Sequence, residues 1–410
     1  MCVRKKKEII SWCLFDFANS SYSAVIAAVV FPVYYTQHIA ITDGDLWWGR
    51  AISLSMAVIA ITSPFLGGVA DIGGIRKRLL FIYTMASVTA IAMFSMLERG
   101  MAFEGFILIL IANIGMEGGL VFYNSFLPEI TDRDYQGRVS AWGYGIGYIG
   151  SILSLLLVLP IVRAGRFDEA WIVVSLVFFV FSIPAFIFLP KDRKMEGVLY
   201  SAKMGAGQVW RNFKKIWAER EQRKFLLSYF IYEDGVNTVI VFSSIFAAST
   251  LGFGHGELIG LYIVVQITAL VGAFLMARPI DYWGPKKVVL SSLTLWVLVT
   301  ILAYFSTSKT QFWAIAVIAG LGLGTVQAAT RAFFAQFIPH GLEAEYFGVY
   351  SLVGKSSAVM GPYLFGLISS IAKSQRPAIV FVAVFFLVGL YILKGVKGGY
   401  PNVGAKGSPS

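Results

Sequence analysis

Cysteine, histidine and charge are all scarce in this chain. Two cysteines, Cys2 and Cys13, and three histidines, His38, His255 and His340, are scattered through 410 residues. The cysteines lie close together at the start and the histidines lack ligand spacing, so neither a disulfide framework nor a metal site is expected. No G-x-x-x-x-G-K-[ST] string occurs, which excludes a self-contained ATP pump of the P-loop type, and no other cofactor is indicated. Charged residues are only 14% of the chain, too few for the surface of a soluble domain. Hydrophobic residues are 57%, the balance of a polytopic membrane protein whose partner is the lipid bilayer.

A membrane-spanning helix needs about 20 mostly apolar residues. Twelve stretches qualify, at 9–38, 48–70, 79–97, 104–128, 139–162, 170–189, 225–250, 256–278, 287–306, 311–338, 346–371 and 377–394. The first follows Arg4, Lys5, Lys6 and Lys7 like a signal peptide, yet it is too long and carries Asp16 and Asn19, so it is expected to be retained as a span. The net charge of +11 does not point to nucleic acid, because the basic residues concentrate in alternate loops. That asymmetry places both termini in the cytoplasm, and the compact loops suggest a plasma (inner) membrane protein.

The longest polar stretch lies between spans 6 and 7. It divides the chain into 1–190, a basic linker at 191–224, 225–397 and a tail at 398–410 that has nothing to bury and is expected to be disordered. Within the linker Val209, Trp210, Phe213, Ile216 and Trp217 recur at helical spacing, with Arg211, Lys214 and Lys215 on other faces. An amphipathic helix on an anionic membrane surface has that pattern; a partly ordered tether is the plainer alternative.

The charged motifs occur twice. Asp71-Ile-Gly-Gly74-Ile-Arg76-Lys77 corresponds to Asp281-Tyr-Trp-Gly284-Pro-Lys-Lys287, and Gly137-x-x-Ser140-x-x-Gly143 corresponds to Gly348-x-x-Ser351-x-x-Gly354. Asp16-Phe-Ala-Asn19 likewise corresponds to Asp234-Gly-Val-Asn237, and Phe126-Leu-Pro128 to Phe337-Ile-Pro339. With six spans between copies, the halves have the same orientation. The expected fold is an all-α membrane protein of twelve transmembrane helices in two six-helix bundles related by a parallel pseudo-repeat, an arrangement of secondary transporters.

An ionisable residue deep in a span costs roughly 2.5–3.5 kcal/mol on insertion scales, so each is a functional candidate. Six qualify: Asp16, Glu117, Glu233, Asp234, Arg331 and Lys355. Four acids against two bases leave an excess of negative charge, which low polarity relieves by protonation. Glu117 and Asp234, then Asp16 and finally Glu233, are the candidates for proton coupling. Arg331 offers a planar fork for a carboxylate and Lys355 a point charge, while Asp16 or Asp234 is suited to an ammonium. Asn19, Asn237, Asn124 and Gln327 add neutral hydrogen-bonding groups. The plainer readings make the acids and bases structural pairs, such as Asp16 with Lys355, and the asparagines glue between helices.

Asp71 and Asp281, with Gly74, Arg76 and Gly284, sit at span ends and are read as gating elements. The basic residues beside them, including Lys77 and Lys286, are equally explained by topology. Glycines in spans 5 and 11 (143, 145, 147, 150; 354, 361, 366) indicate close helix approach, and Pro32, Pro64, Pro184 and Pro362 are expected to mark kinks.

Gly67-Gly68-Val-Ala-Asp71-x-x-Gly74-x-Arg76-Lys77-Arg78 resembles the loop signature of the major facilitator superfamily. The strings WCLFDFANSSYS (12–23), FYNSFLPEI (122–130), YEDGVNTV (232–239), VQAATRAFFAQFIP (326–339) and FGVYSLVGKSSAVMGP (347–362) resemble the vacuolar amino-acid effluxers, the autophagy-related branch, and their prokaryotic relatives. Thr330 stands where Ser is expected before the arginine. The resemblance implies that spans 1, 4, 7 and 10 line a central cavity, with 2, 5, 8 and 11 beside them. Five of the six deep charges fall on the first set and Lys355 on the second.

The expected function is secondary active transport of a small polar solute by alternating access, with amino-acid efflux and proton coupling as the favoured form. Export of drugs or other metabolites is the alternative, for which Phe17, Tyr22, Tyr123, Tyr144 and Phe333 would supply aromatic walls. A membrane sensor without flux is a third reading. An enzyme is not expected, since no nucleophile with its base is apparent.

Overall fold

The computed structural model describes residues 3–40, 44–192, 214–358 and 360–397. Among these residues the secondary structure is helical. The chain forms α1 Val3–Ser21, α2 Gly44–Gly73, α3 Arg76–Met93, α4 Ala102–Ser125, α5 Gln136–Arg163 and α6 Phe167–Phe188. After the linker come α7 Arg220–Leu251, α8 His255–Trp283, α9 Pro285–Phe305, α10 Lys309–Ala335, α11 Glu343–Ser357, α12 Met360–Ala372 and α13 Arg376–Lys394. Ten helices among the described residues are long and apolar enough to cross a membrane. Large apolar side chains such as Ile61, Leu156 and Leu275 lie exposed on their outer faces. In water that surface would be costly, and in lipid it is the expected exterior.

Twelve spans were expected, and the two that fall short do so for physical reasons. The first stretch starts with a basic run and carries Asp16; it leaves α1 for a π-helical segment at Tyr22–Val29, and a second follows at Tyr35–Ile39. The eleventh is interrupted after Ser357, so α11 and α12 are 15 and 13 residues long. Pro64 and Pro184 lie inside α2 and α6, while Pro32 begins a short helix, Phe31–Tyr34; the surroundings of Pro362 and Gly366 lie outside what is described. So do the tail, 398–410, and most of the linker. Residues 214–218 are helical and Ile216 is buried, but Val209, Trp210, Arg211 and Phe213 fall outside the described residues.

Helices pack both within each half of the sequence and across the halves. In the first half α1 packs on α5 and α6, α2 on α4, and α3 on α4 and α6; in the second α7 packs on α11 and α13, α8 on α10, and α9 on α10 and α13. The halves meet chiefly where α2 packs on α11 and α5 on α8. Small residues set those seams: a Cβ on Gly67 would lie 2.3 Å from the Ala344 carbonyl oxygen, and one on Gly348 2.4 Å from that of Ser63.

The loops carrying the repeated charged motifs gather at one end of the molecule, and the loops at 97–101, 252–254 and 306–308 at the opposite end. At the motif end two lysines close helix termini. Lys77 Nζ donates to the carbonyls of Ile187 (3.2 Å) and Leu189 (2.7 Å) after α6. In the second half Lys286, which stands at the position of Arg76 in the repeat, donates to the carbonyls of Lys394 (2.9 Å) and Val396 (2.5 Å) at the end of α13. A cation at a helix C-terminus satisfies orphan carbonyls and meets the negative end of the helix dipole.

Candidate functional site

Between the halves lies a cavity of about 1560 Å³. Its walls include Asp16, Asn19, Glu117 and Asn124 from the first half and Glu233, Asn237, Gln327, Arg331 and Lys355 from the second. It extends away from the motif end as far as Leu258, Phe312 and Ile379. Nine of the ten residues expected to bind solute or protons thus border one space. Asp234, the tenth, is fully buried behind its wall.

Two ion pairs cross between the halves inside this cavity. Arg331 on α10 meets Asp16 on α1, Nη1 lying 3.3 Å from Oδ2. The guanidinium also donates to Ser140 Oγ (2.9 Å), the Ser140 carbonyl (2.7 Å) and Asn124 Oδ1 (3.3 Å). It lies over the Tyr144 ring at 4.0 Å and the Trp12 ring at 4.6 Å. Only 3% of the side chain is exposed. Asp16 takes a further bond from Asn19 at 3.4 Å, one turn on along α1. A Cβ on Gly143 would come within 2.6 Å of Asp16 Oδ2 and 2.9 Å of Arg331 Nη2, so glycine makes the room this pair occupies.

The second pair is Lys355 on α11 with Glu117 on α4. Here 26% of the lysine and 12% of the glutamate side chain remain exposed to the cavity. The pairing of Asp16 with Lys355 weighed from sequence is not the one formed. Both pairings leave the same residue type short of a partner: once Asp16 and Glu117 are matched, the surplus acids are Glu233 and Asp234. Asp234 Oδ1 accepts the Gly361 N–H at 2.8 Å, and its Oδ2 has no hydrogen-bond partner among the described residues. Tyr148 adds a neutral link between the halves, its hydroxyl donating to Gln327 Oε1 at 2.7 Å.

The motif end is closed by two carboxylates at the helix seams. Asp71, ending α2, accepts the N–H groups of Ala344 (3.2 Å) and Glu345 (2.9 Å) in the first turn of α11. Arg76 links Asp71 (3.2 Å), Glu129 (3.3 Å) and Glu343 (3.2 Å). Asp281, ending α8, accepts the Arg138 N–H (3.0 Å) at the start of α5, with the Arg138 side chain 3.4 Å away. Each acid therefore caps a helix of the other half, where the free N–H groups and the dipole favour negative charge. Gly74 and Gly284 have φ of 60° and 86°, the left-handed region that glycine enters without strain, and they turn the chain directly after these acids.

Ser140, Trp12, Tyr148, Glu129 and Glu343 were not singled out for these contacts from sequence. Ser140 stood in the repeated Gly-x-x-Ser-x-x-Gly motif, a signal that it faces a close helix contact, and Trp12 and Glu129 stood in strings shared with the effluxer family; Tyr148 and Glu343 carried no signal.

A charge-lined cavity between two like-packed sets of helices, closed at one end by caps from each set to the other, defines a membrane transporter of the major facilitator type. The fold is shared with the human organic anion transporter MFSD10 (TETRAN), at a TM-score of 0.75 and 15% identity over 96% of this chain and 100% of that one. The family model described as "Vacuole effluxer Atg22 like" matches residues 50–137 and 131–398, and the chain belongs to that family. Among its relatives, an uncharacterized MFS-type transporter, YxiO of Bacillus subtilis, is 28% identical over 96% of this chain and 95% of its own length. Autophagy-related protein 22-1 of Penicillium rubens is 24% identical over 83% of this chain and 73% of its own length.

Proposed function

We propose that this transporter moves a neutral amino acid by alternating access, coupled to protons, with efflux as its direction. The observation that carries the reading is the Lys355–Glu117 pair on the cavity wall. A zwitterion needs a cation for its carboxylate and an acid for its ammonium, and this pair offers both in a partly wetted site where it can open. Asn124, Asn237 and Gln327 border the same space and supply neutral bonds. Arg331, by contrast, is saturated, so it serves the site by holding Asp16, Asn124 and the two halves in register. Glu233 and Asp234, which form no ion pair among the described residues, are the groups best suited to carry protons. Glu117 carries one only while Lys355 is engaged elsewhere.

The matching pairs of packed helices in the two halves support a twelve-span reading with two six-helix bundles, 1–190 and 225–397. The first stretch, from α1 through the π-helical segments, and the combined α11–α12 supply the remaining spans. Asp71, Gly74, Arg76, Asp281 and Gly284 then form the gate: rocking the bundles withdraws each helix N-terminus from its acid and opens the motif end. The basic loops favour a cytoplasmic motif end and a plasma (inner) membrane location, which makes this state outward-facing.

The test is exchange of a labelled amino-acid panel in proteoliposomes, with and without an imposed pH gradient. Exchange lost in Lys355→Ala supports the zwitterion site, and loss of only the pH-driven component in Glu233→Gln supports proton coupling. Absence of amino-acid exchange by folded protein overturns the substrate reading in favour of metabolite or drug export.

A further inference from the structure

Beside the seam of α5 and α8 lies a further cavity, of about 250 Å³, that shares no lining residue with the central one. Its walls include Ile10, Cys13 and Leu14 of α1, Trp142 and Ile146 of α5, and Phe274 of α8. Phe274 crosses the seam: a Cβ on Gly145 would lie 2.5 Å from its Cε2, so the floor of the groove is a contact between the two halves. Ile10 and Phe274 are 59% and 41% exposed without bordering the central cavity, so the groove opens outward, to the surface that faces lipid.

Each wall helix carries a base one turn nearer the motif end than its groove residues. Lys6 precedes Ile10 by four positions on α1, Arg138 precedes Trp142 by four on α5, and Arg278 follows Phe274 by four on α8, which runs toward that end. Positions four apart share a helix face. Arg138 is held by Asp281, while Lys5 and Lys7, on either side of Lys6, are engaged by Asp132 (3.0 Å) and by the Phe188 ring (5.7 Å). Lys6 and Arg278 are exposed and form no ion pair among the described residues. An apolar groove with unpaired cations at its mouth matches a ligand that has a hydrocarbon chain and an anionic head, and an anionic phospholipid brings both. A free phosphate would meet the bases and leave the groove bare; an apolar solute would do the reverse. A second copy of this chain is disfavoured by charge, since pairing two basic motif ends sets like charges side by side.

We propose that this groove binds one anionic phospholipid from the leaflet at the motif end, with an acyl chain against Trp142, Ile146 and Phe274 and the phosphate between Lys6 and Arg278. Such a lipid touches both halves at the seam that Arg138 and Asp281 close, and so favours the state in which that end is shut. The preference rests on the gate proposed above, whereas binding itself is read without transport.

The experiment is thermal unfolding of the purified full-length protein in detergent, titrated at constant ionic strength with phosphatidylglycerol and, in parallel, with phosphatidylcholine and with inorganic phosphate. The expected result is a saturable rise in Tm of several degrees with phosphatidylglycerol alone. Its midpoint moves to about fivefold higher lipid in Lys6→Gln and in Arg278→Gln, the change expected for one base at an anionic headgroup. It stays in place in Lys287→Gln, which removes an exposed base from α9, a helix that does not line the groove. Ile146→Trp fills the groove and abolishes the rise with every base kept. No rise with phosphatidylglycerol overturns the proposal, as does an equal rise with phosphatidylcholine or phosphate. An unchanged midpoint in both Lys6→Gln and Arg278→Gln overturns it too, and an equal shift in Lys287→Gln reduces the effect to general surface charge and does the same. If Ile146→Trp does not fold, the charge variants still decide. Lipid binding by a protein that exchanges no amino acid would retain this site and remove the amino-acid reading.

Discussion

The two ion pairs that cross the cavity are alike in composition and unlike in surroundings. Arg331–Asp16 is enclosed by Ser140, Asn124, Trp12 and Tyr144, with 3% and 9% of the side chains exposed. Lys355–Glu117 faces the open cavity at 26% and 12%. Arginine's rigid fork can satisfy several fixed acceptors at once, whereas lysine's ammonium ends a flexible stem and changes partner readily. The difference teaches that a charge pair inside a membrane can be either a fastener or an exchange point. The number of additional acceptors around the base separates the two.

The largest effect is expected from removing the fastener. Arg331→Ala leaves Asp16 buried without its cation, a loss of about 3–5 kcal/mol, measured as lower Tm and lower folded yield in detergent. Arg331→Lys should recover little of it, because an ammonium cannot reproduce the planar set of bonds to Ser140, Asn124 and Asp16. Lys355→Ala is the contrasting case: the lysine is 26% exposed against 3% for Arg331, so Tm should fall by less than half as much while solute exchange is abolished. Equal Tm losses in Arg331→Ala and Lys355→Ala would remove the distinction between the pairs.

Gly143→Ala sharpens the comparison from the steric side. The added methyl presses on both Asp16 and Arg331, and overpacking of this kind costs about 1–3 kcal/mol, with no parallel effect at the Lys355 site. The smallest effect belongs to Tyr148→Phe, which removes the hydrogen bond to Gln327 and should cost about 1 kcal/mol. Its signature is a modest Tm change with exchange retained.

Much of this was legible before any coordinates. Rare charges in apolar runs mark themselves, so Asp16, Glu117, Glu233, Asp234, Arg331 and Lys355 were identifiable one by one. The repeated Asp-x-x-Gly motifs marked the two turns, since an acid at a span end followed by a glycine announces a turn at a helix terminus, but that each acid caps a helix of the other half came from the fold. Pairing was not legible. Asp16 and Arg331 lie 315 positions apart, and nothing local distinguishes Arg331 from Lys355 as its partner. The partner of Glu117 was hidden for the same reason, since only the packing of α11 brings Lys355 to it. The interruption at Ser357 was also hidden, because Gly354, Ser356, Ser357 and Gly361 read as small residues for helix packing rather than as a break.

By itself the sequence determined the membrane setting, the helical class, the twofold occurrence of the charged motifs and the identity of the costly residues. Each of these follows from local composition and spacing, and hydrocarbon penalises polar groups one residue at a time. Tertiary structure decided which acid meets which base, which acids form no ion pair among the described residues, and which backbone N–H meets a carboxylate of a neighbouring helix. Those outcomes depend on distances between helices remote in sequence, and in a medium of low polarity a few ångströms separate a satisfied charge from one that must find a partner.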